Sequence, residues 1–345
     1  MNRKLSSQTA VGLDIGSQTV RCVIGQPAEE GGPPSIVGVG EAPNSGVRKG
    51  VVVDIDATVN AISQALEDAE RISGIRVNHA TVGLNGSHVV AVTSHGIIAV
   101  AAGAREITES DVARVQEAAA VIQLPPNREI IQAFARNYKI DGQDNIKEPL
   151  GMSGVRLEVD SCLVTAATPF IKNLGRVVSQ AGVGIDGLIT NPIAAAVSLV
   201  DKQRREQGSV LIDIGASTTG VAVFEEGDLL HVAVLPVGGA NITNDLAIGL
   251  RTEIATAEKI KLEHVSGETK PQGSVRERNL KVKEADGGDL LVALGEVNAI
   301  ARARLEEIFE MVNSELRKIH REGILPGGAV ICGGTANLRQ IEEVA

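Results

Sequence analysis

Val11-Gly-Leu-Asp-Ile-Gly-Ser-Gln-Thr-Val20 and Val210-Leu-Ile-Asp-Ile-Gly-Ala-Ser-Thr-Thr219 read as two copies of one element. Each is an apolar run closed by Asp, then Ile-Gly and small or hydroxylated residues. A second apolar run follows each, over 21–25 and 220–224. The pattern predicts a buried strand, a tight turn and a returning strand. The aspartates, Asp14 and Asp213, stand 199 residues apart, so the repeat predicts two related α/β domains. One such turn is an ordinary strand end. Two in matched context point to phosphate, because small residues at a turn tip leave successive backbone N–H groups free to cradle anionic oxygens. Two such cradles facing each other would clamp a triphosphate. Carboxylates at the strand ends beside them suit a Mg²⁺ ion held mostly through water. Gly333-Gly334-Thr335 adds a strand-end turn where backbone can approach a flat ligand. None of these three turns is the GxxxxGK[ST] or the GxGxxG pattern.

Composition narrows the function. The 345 residues allow two or three domains. Only one Tyr and four Phe are present and no Trp, so the cores must pack Val, Ile, Leu and Ala, and the profile disfavours a base-stacking platform for nucleic acid. A net charge of −10 also disfavours binding a phosphate backbone. Cys22, Cys162 and Cys332 lie far apart, which leaves no disulfide framework and favours a reducing compartment. The histidines at 79, 88, 95, 231, 264 and 320 show no ligand spacing. No apolar run reaches the ~18 residues of a membrane span.

Strands and helices alternate outward from the hairpins. A helix is expected at 56–73, where Val59, Ile62, Leu66, Ala69 and Ile72 share a face, Asp54 or Asp56 caps the start and Gly74 the end. Strands are expected at 35–39 and 81–84. Over 84–160 the texture becomes β-rich: strands at 88–93 and 96–101 around a Ser94-His95-Gly96 turn, a helix from the capping-box-like Thr108–Asp111 to about 122, strands at 129–140 and 155–166, and an exposed loop at 141–149. Then come a helix at 169–181, a strand at 185–190, one helix over 192–206, a strand at 229–236, and helices at 242–249 and 252–263. A loop or exposed hairpin is expected at 266–288, a long helix at 295–322, a buried strand at 328–332 and a helix starting near 338.

These features resemble the actin/Hsp70/sugar-kinase superfamily. Within it, Ser45-Gly-Val-Arg-Lys-Gly-Val-Val-Val-Asp54, Gly83-Leu-Asn-Gly-Ser87, Gly151-Met-Ser-Gly-Val-Arg156, Leu246-Ala-Ile-Gly-Leu-Arg-Thr252 and Ala257-Glu-Lys-Ile-Lys261 are similar to FtsA, the bacterial cell-division actin homologue. The resemblance spans essentially the whole chain. It implies an α/β fold of two actin-like (ribonuclease H-like) domains around a nucleotide cleft, with a small β-rich insert of the 1C type. Subdomain 1A would cover 1–83 and 163–190, 1C 84–162, 2A 191–247 and 319–345, and 2B 248–318. It implies ATP and Mg as ligands. The binding residues would be Asp14, Gly16, Ser17, Gln18 and Thr19; Asp213, Gly215, Ala216, Ser217 and Thr218; Gly238 and Gly239; Glu258 and Lys261; Gly333, Gly334, Thr335 and Asn337. Asp14 and Asp213 would hold Mg through water. It further implies filaments of the chain itself, docking of the tubulin-like FtsZ through its C-terminal tail on 2B with Arg304 taking part, other divisome contacts through 1C, and a place on the cytoplasmic face of the membrane at the division site.

Three departures from the family pattern stand out. The second phosphate loop has Ala216-Ser217, with Gly220 where an acid is usual. Asn191 replaces the Glu or Gln that orients the attacking water in filament-forming relatives. Asn is no general base, so ATP binding with weak or no turnover is expected. The family ends in a linker and an amphipathic membrane helix, and Ala345 comes just after the Gly333–Thr335 turn, so the last elements of 2A and the membrane contact are expected beyond it. The alternatives are a PilM-type pilus-assembly platform and a small-molecule kinase of the same superfamily. The kinase would need an acceptor pocket with acids and aromatics, for which 84–160 offers no cluster.

Overall fold

A computed structural model describes residues 9–27, 34–100, 105–267, 279–283 and 288–345. Both copies of the repeated motif fold as antiparallel hairpins. Strand Ala10–Ile15 pairs with Thr19–Gln26, placing Asp14 opposite Arg21. Strand Ser209–Ile214 pairs with Thr219–Glu225, placing Asp213 opposite Gly220. Each hairpin continues into a third antiparallel strand, Ser35–Pro43 or Asp228–Leu235. Each is flanked on its other side by a parallel strand, His79–Leu84 or Ala329–Cys332. The two sheets thus repeat the same order and directions. Gly184–Thr190 extends the first sheet to five strands.

Helix Ile55–Ser73 covers the first sheet. Asp54 caps it by accepting from the Ala57 amide, and Gly74 ends it in the left-handed region. The helix lies so close that a Cβ at Gly40 would stand 1.8 Å from the Ala65 carbonyl oxygen. Its Ala61, Ile62, Ala65 and Ala69 join Val20, Cys22 and Ile24 in one buried core. Helices Gly239–Leu250, Ile254–His264 and Leu294–Lys318 pack against the second sheet in a separate core with Ile242, Leu246, Ile260, Leu305 and Ile308.

The β-rich insert has strands Val90–Ala99, Arg128–Ile140, Gln143–Ile146 and Arg156–Ala167, helix Glu109–Ala120, and a small core around Val115, Tyr138, Leu157 and Val159. Its sheet meets the second domain edge to edge through one pair, Val90 with Ala233.

Several elements differ from expectation. Ser94-His95-Gly96 is no turn but the middle of the unbroken strand Val90–Ala99. Gly96 is there because helix Glu109–Ala120 crosses it, and a Cβ would lie 2.4 Å from the Val115 carbonyl oxygen. The expected loop at 141–149 includes the edge strand Gln143–Ile146, with Ile146 buried. The helix expected over 192–206 breaks into Asn191–Leu199 and Lys202–Gln207, because Asp201 caps the second by accepting from the Arg204 amide. The start expected near 242 moves back to Gly239. Within 266–288, strand Asn279–Lys283 pairs with Asp289–Ala293 and buries Leu280, Val282 and Val292; residues 268–278 and 284–287 lie outside the described residues. The strand holding Cys332 is only partly buried, and past it the chain makes 3₁₀ turns at Gly334–Asn337 and Ile341–Glu343 in place of an α-helix.

Candidate functional site

The two hairpin tips meet at one point between the domains. Each tip is closed by the same bond, Gly16 N–H to Thr19 O at 3.0 Å and Gly215 N–H to Thr218 O at 2.9 Å. The Gly16 and Gly215 amides are therefore spent inside the turns. Those of Ser17, Gln18, Ala216 and Ser217 donate to no protein acceptor among the described residues. These four amides are unpaired at the two turns where the repeat predicts an anion cradle. Ser217 Oγ donates to Ser17 Oγ at 2.5 Å, bridging the domains.

Beside the cradle lie Asp14 and Asp213. Burial raises the Asp14 pKa above the usual carboxylate range, with Asn191 and Arg21 pulling it back. Asp213 is pushed up to about 6, first by burial and then by the charge of Asp14. Two partly buried carboxylates, the charge of one raising the pKa of the other, suit a divalent cation. No third Asp, Glu, His or Cys joins them in a ligand cluster among the described residues. The pair therefore fits Mg²⁺, which keeps water and substrate oxygens as most of its ligands. Asn191 Nδ2 donates to Asp14 Oδ1 at 2.8 Å. The cavity here, of about 150 Å³, also takes in Thr218, Gly333 and Gly334. At Gly333, φ is +86° and a Cβ would stand 2.5 Å from Asp213 Oδ1, which explains the glycine.

A second cavity of about 300 Å³ adjoins it, lined by Glu258, Lys261, Thr335 and Asn337. Lys261 is buried, and its Nζ donates to Glu258 Oε2 at 2.7 Å and to Thr243 Oγ1 at 2.9 Å. Thr243 also donates to Glu258. Gly238 lets backbone approach backbone, and Gly239 leaves room for the Thr335 side chain. A Cβ on Gly238 would meet the Gly215 carbonyl oxygen at 2.6 Å, and one on Gly239 the Thr335 hydroxyl at 2.3 Å. Gly239 N–H and Thr335 Oγ1 both donate to Gly215 O, at 2.9 and 3.1 Å, locking three elements together.

Arg304 lies away from this cleft, on helix Leu294–Lys318. Its guanidinium forks onto Asp245 at 2.6 and 3.0 Å and also reaches Glu307. It joins two helices of the second domain and is no freely solvated side chain.

Other residues to which the sequence reading gives no binding role also belong to the site. Asn85 Nδ2 donates to Thr218 Oγ1 at 3.0 Å. Asn44 Nδ2 donates to Gly16 O at 2.8 Å. Leu262 and Leu338 give the larger cavity an apolar wall. Segment 44–54 straps across both tips, with Lys49 N–H donating to Ser217 Oγ at 3.0 Å and Gly50 N–H to Ser17 Oγ at 3.4 Å. Gly220 also gains a reason: a Cβ there would meet Pro192 Cγ at 2.5 Å, so no acid fits opposite Asp213.

Solved structures with this architecture include the PilM–PilN type IV pilus biogenesis complex, with a TM-score of 0.64 at 17% identity over 97% of this chain and 84% of that one. MreB5 of Spiroplasma citri bound to ADP gives 0.56 at 15% identity, over 97% and 88%. The fold and cleft define an actin-like protein of two domains with a β-rich insert. Sequence comparison narrows the class. The family description "SHS2 domain inserted in FTSA" matches residues 86–165, and "Cell division protein FtsA" matches 210–345. Cell division protein FtsA of Pseudomonas aeruginosa is 36% identical over 99% of this chain and 81% of that protein. FtsA of Bacillus subtilis is 37% identical over 99% and 76%. The chain belongs to the FtsA family of cell-division proteins.

Proposed function

We propose that this chain binds ATP with Mg²⁺ in the cleft, assembles into filaments, and links FtsZ, through its C-terminal tail, to the membrane at the division site. The observation that carries the nucleotide reading is the meeting of four unspent tip amides with two partly buried carboxylates. On this reading the amides of Ser17, Gln18, Ala216 and Ser217 hold phosphate oxygens. Asp14 and Asp213 hold the metal, which would neutralise phosphate charge. Glu258, Lys261 and the Gly333–Asn337 turn line the nucleoside end. Structures of MreB5 bound to ADP and to AMPPNP support nucleotide use on this fold. Asn191 supports weak or absent turnover: it is no base, and its amide is engaged by Asp14. Among the described residues no helix is long and apolar enough to cross a membrane. Membrane attachment on this reading is made by an amphipathic helix of the family kind.

Thermal unfolding with and without ATP and Mg²⁺ tests the site. Ligand at about 100 times Kd should add about 2.7 kcal/mol of stability. Asp213→Ala should remove that gain, and an Asp213→Ala protein that keeps it would refute the assignment. Pelleting and electron microscopy with ATP should give protofilaments that capture an FtsZ tail peptide. Monomers that phosphorylate a sugar would overturn the scaffold reading.

A further inference from the structure

A cavity of about 990 Å³ opens on the strap side of the two tips. Four charged residues line it: Arg48, Lys49, Glu258 and Lys261. Glu258 and Lys261 are paired with each other at 2.7 Å. Arg48 and Lys49 are exposed, and neither side chain has an ion-pair or hydrogen-bond partner among the described residues. Two unspent cations therefore share a chamber with Ser17 and Ser217. The backbone that carries them is held in place. Lys49 is a non-glycine residue at φ +48°, its N–H bound to Ser217 Oγ, and Gly50 follows at φ +76°. A Cβ on Gly50 would stand 2.5 Å from Gly86 N, so the strap is wedged against the start of the insert. Left-handed backbone at a bulky residue persists only where its surroundings hold it. Here they hold two positive charges beside the anion cradle.

We propose that Arg48 and Lys49 bind the terminal phosphate of a nucleoside triphosphate and set a preference for triphosphate over diphosphate. The inference rests on the nucleotide reading of the cleft. Amides at the tips hold phosphate oxygens of either nucleotide. The third phosphate adds negative charge, which a guanidinium fork and an ammonium point charge both recognise. Neither cation touches Asp14 or Asp213 in any bond the structure shows, so their contribution is separable from the metal's.

The test is titration of the full chain with fluorescent N-methylanthraniloyl ATP and ADP in Mg²⁺. Arg48→Gln, Lys49→Asn and the double variant are compared with the natural chain. Asn suits the left-handed backbone at 49 while removing the charge. The double variant should lose about tenfold in triphosphate affinity, the scale of one charge-assisted hydrogen bond. Its diphosphate affinity should stay within about twofold, a control that the site is still folded, and Lys49→Arg should keep the preference. Unchanged triphosphate affinity, or equal loss for both nucleotides, overturns the proposal and leaves the nucleotide reading standing. A natural chain that binds neither nucleotide overturns both.

Discussion

His88 is buried at the junction of the first domain and the insert, stacked on Phe170 with ring centroids 4.7 Å apart. Burial, helped by the charge of Arg128, pushes its pKa from 6.5 down to about 4. The folded state therefore resists a proton that the unfolded chain accepts. The stability held by neutral His88 is complete above pH 6.5 and is lost as pH falls toward 4. At about 1.4 kcal/mol per pK unit the loss is at most about 3 kcal/mol. Urea unfolding at steps between pH 7 and 4 should show the decline, and His88→Phe should flatten it while keeping the stack. An equally steep decline in the Phe variant would show that other groups carry it. At this scale, Asp14, Asp213 and the tip residues were legible because a repeat marked them. Asn44, Asn85 and Leu262 were not, since a lone amide or Leu in a loop or on a helix has no spacing that distinguishes it.

Elements are positioned here by missing side chains. Gly40 lets helix Ile55–Ser73 lie on the first sheet, and Gly96 does the same for helix Glu109–Ala120. Gly12 sits in strand Ala10–Ile15 with nothing within 4 Å of a Cβ. Gly40→Val should cost at least ~1–3 kcal/mol, because backbone of the helix must move. Gly12→Ala should be neutral or stabilise by up to ~1 kcal/mol by restricting the unfolded chain. Urea midpoints of the two variants check the contrast, and equal midpoints would refute it. Helix Ile55–Ser73 was legible down to its caps because periodicity and cap chemistry agree. The break at Val200–Asp201 was hidden, since Asp201 reads as a surface acid until its side chain is seen on the Arg204 amide.

Across the whole molecule, side-chain bonds hold the two domains together at the cleft: Ser217 to Ser17 and Asn85 to Thr218. The Asn85 bond ties the second tip to the segment that enters the insert. Farther out, the Arg304–Asp245 fork joins the long helix to helix Gly239–Leu250, whose first residue donates to Gly215 O in the cleft. If Arg304 docks the FtsZ tail, it must share or leave Asp245. Fluorescence anisotropy of a labelled tail peptide separates the roles. Arg304→Ala should abolish binding, whereas Asp245→Ala, which frees the guanidinium, should keep or strengthen it. Equal loss in both variants would assign the pair to stability alone.

The repeated Val-x-x-Asp-Ile-Gly stretch determined by itself that two similar hairpins exist and that each closes in a tight turn of small residues. Apolar periodicity and turn chemistry act over a few residues, so they are written locally. Tertiary structure decided which tip amides stay unspent, that the charge of Asp14 helps to raise the pKa of Asp213 in one cleft, and that segment 44–54 crosses both tips. It also decided why Gly40, Gly96 and Gly220 have no side chain. Those facts depend on distances between segments up to about 200 residues apart in the chain, and the energies of contact and desolvation that act there exist only once the chain has folded.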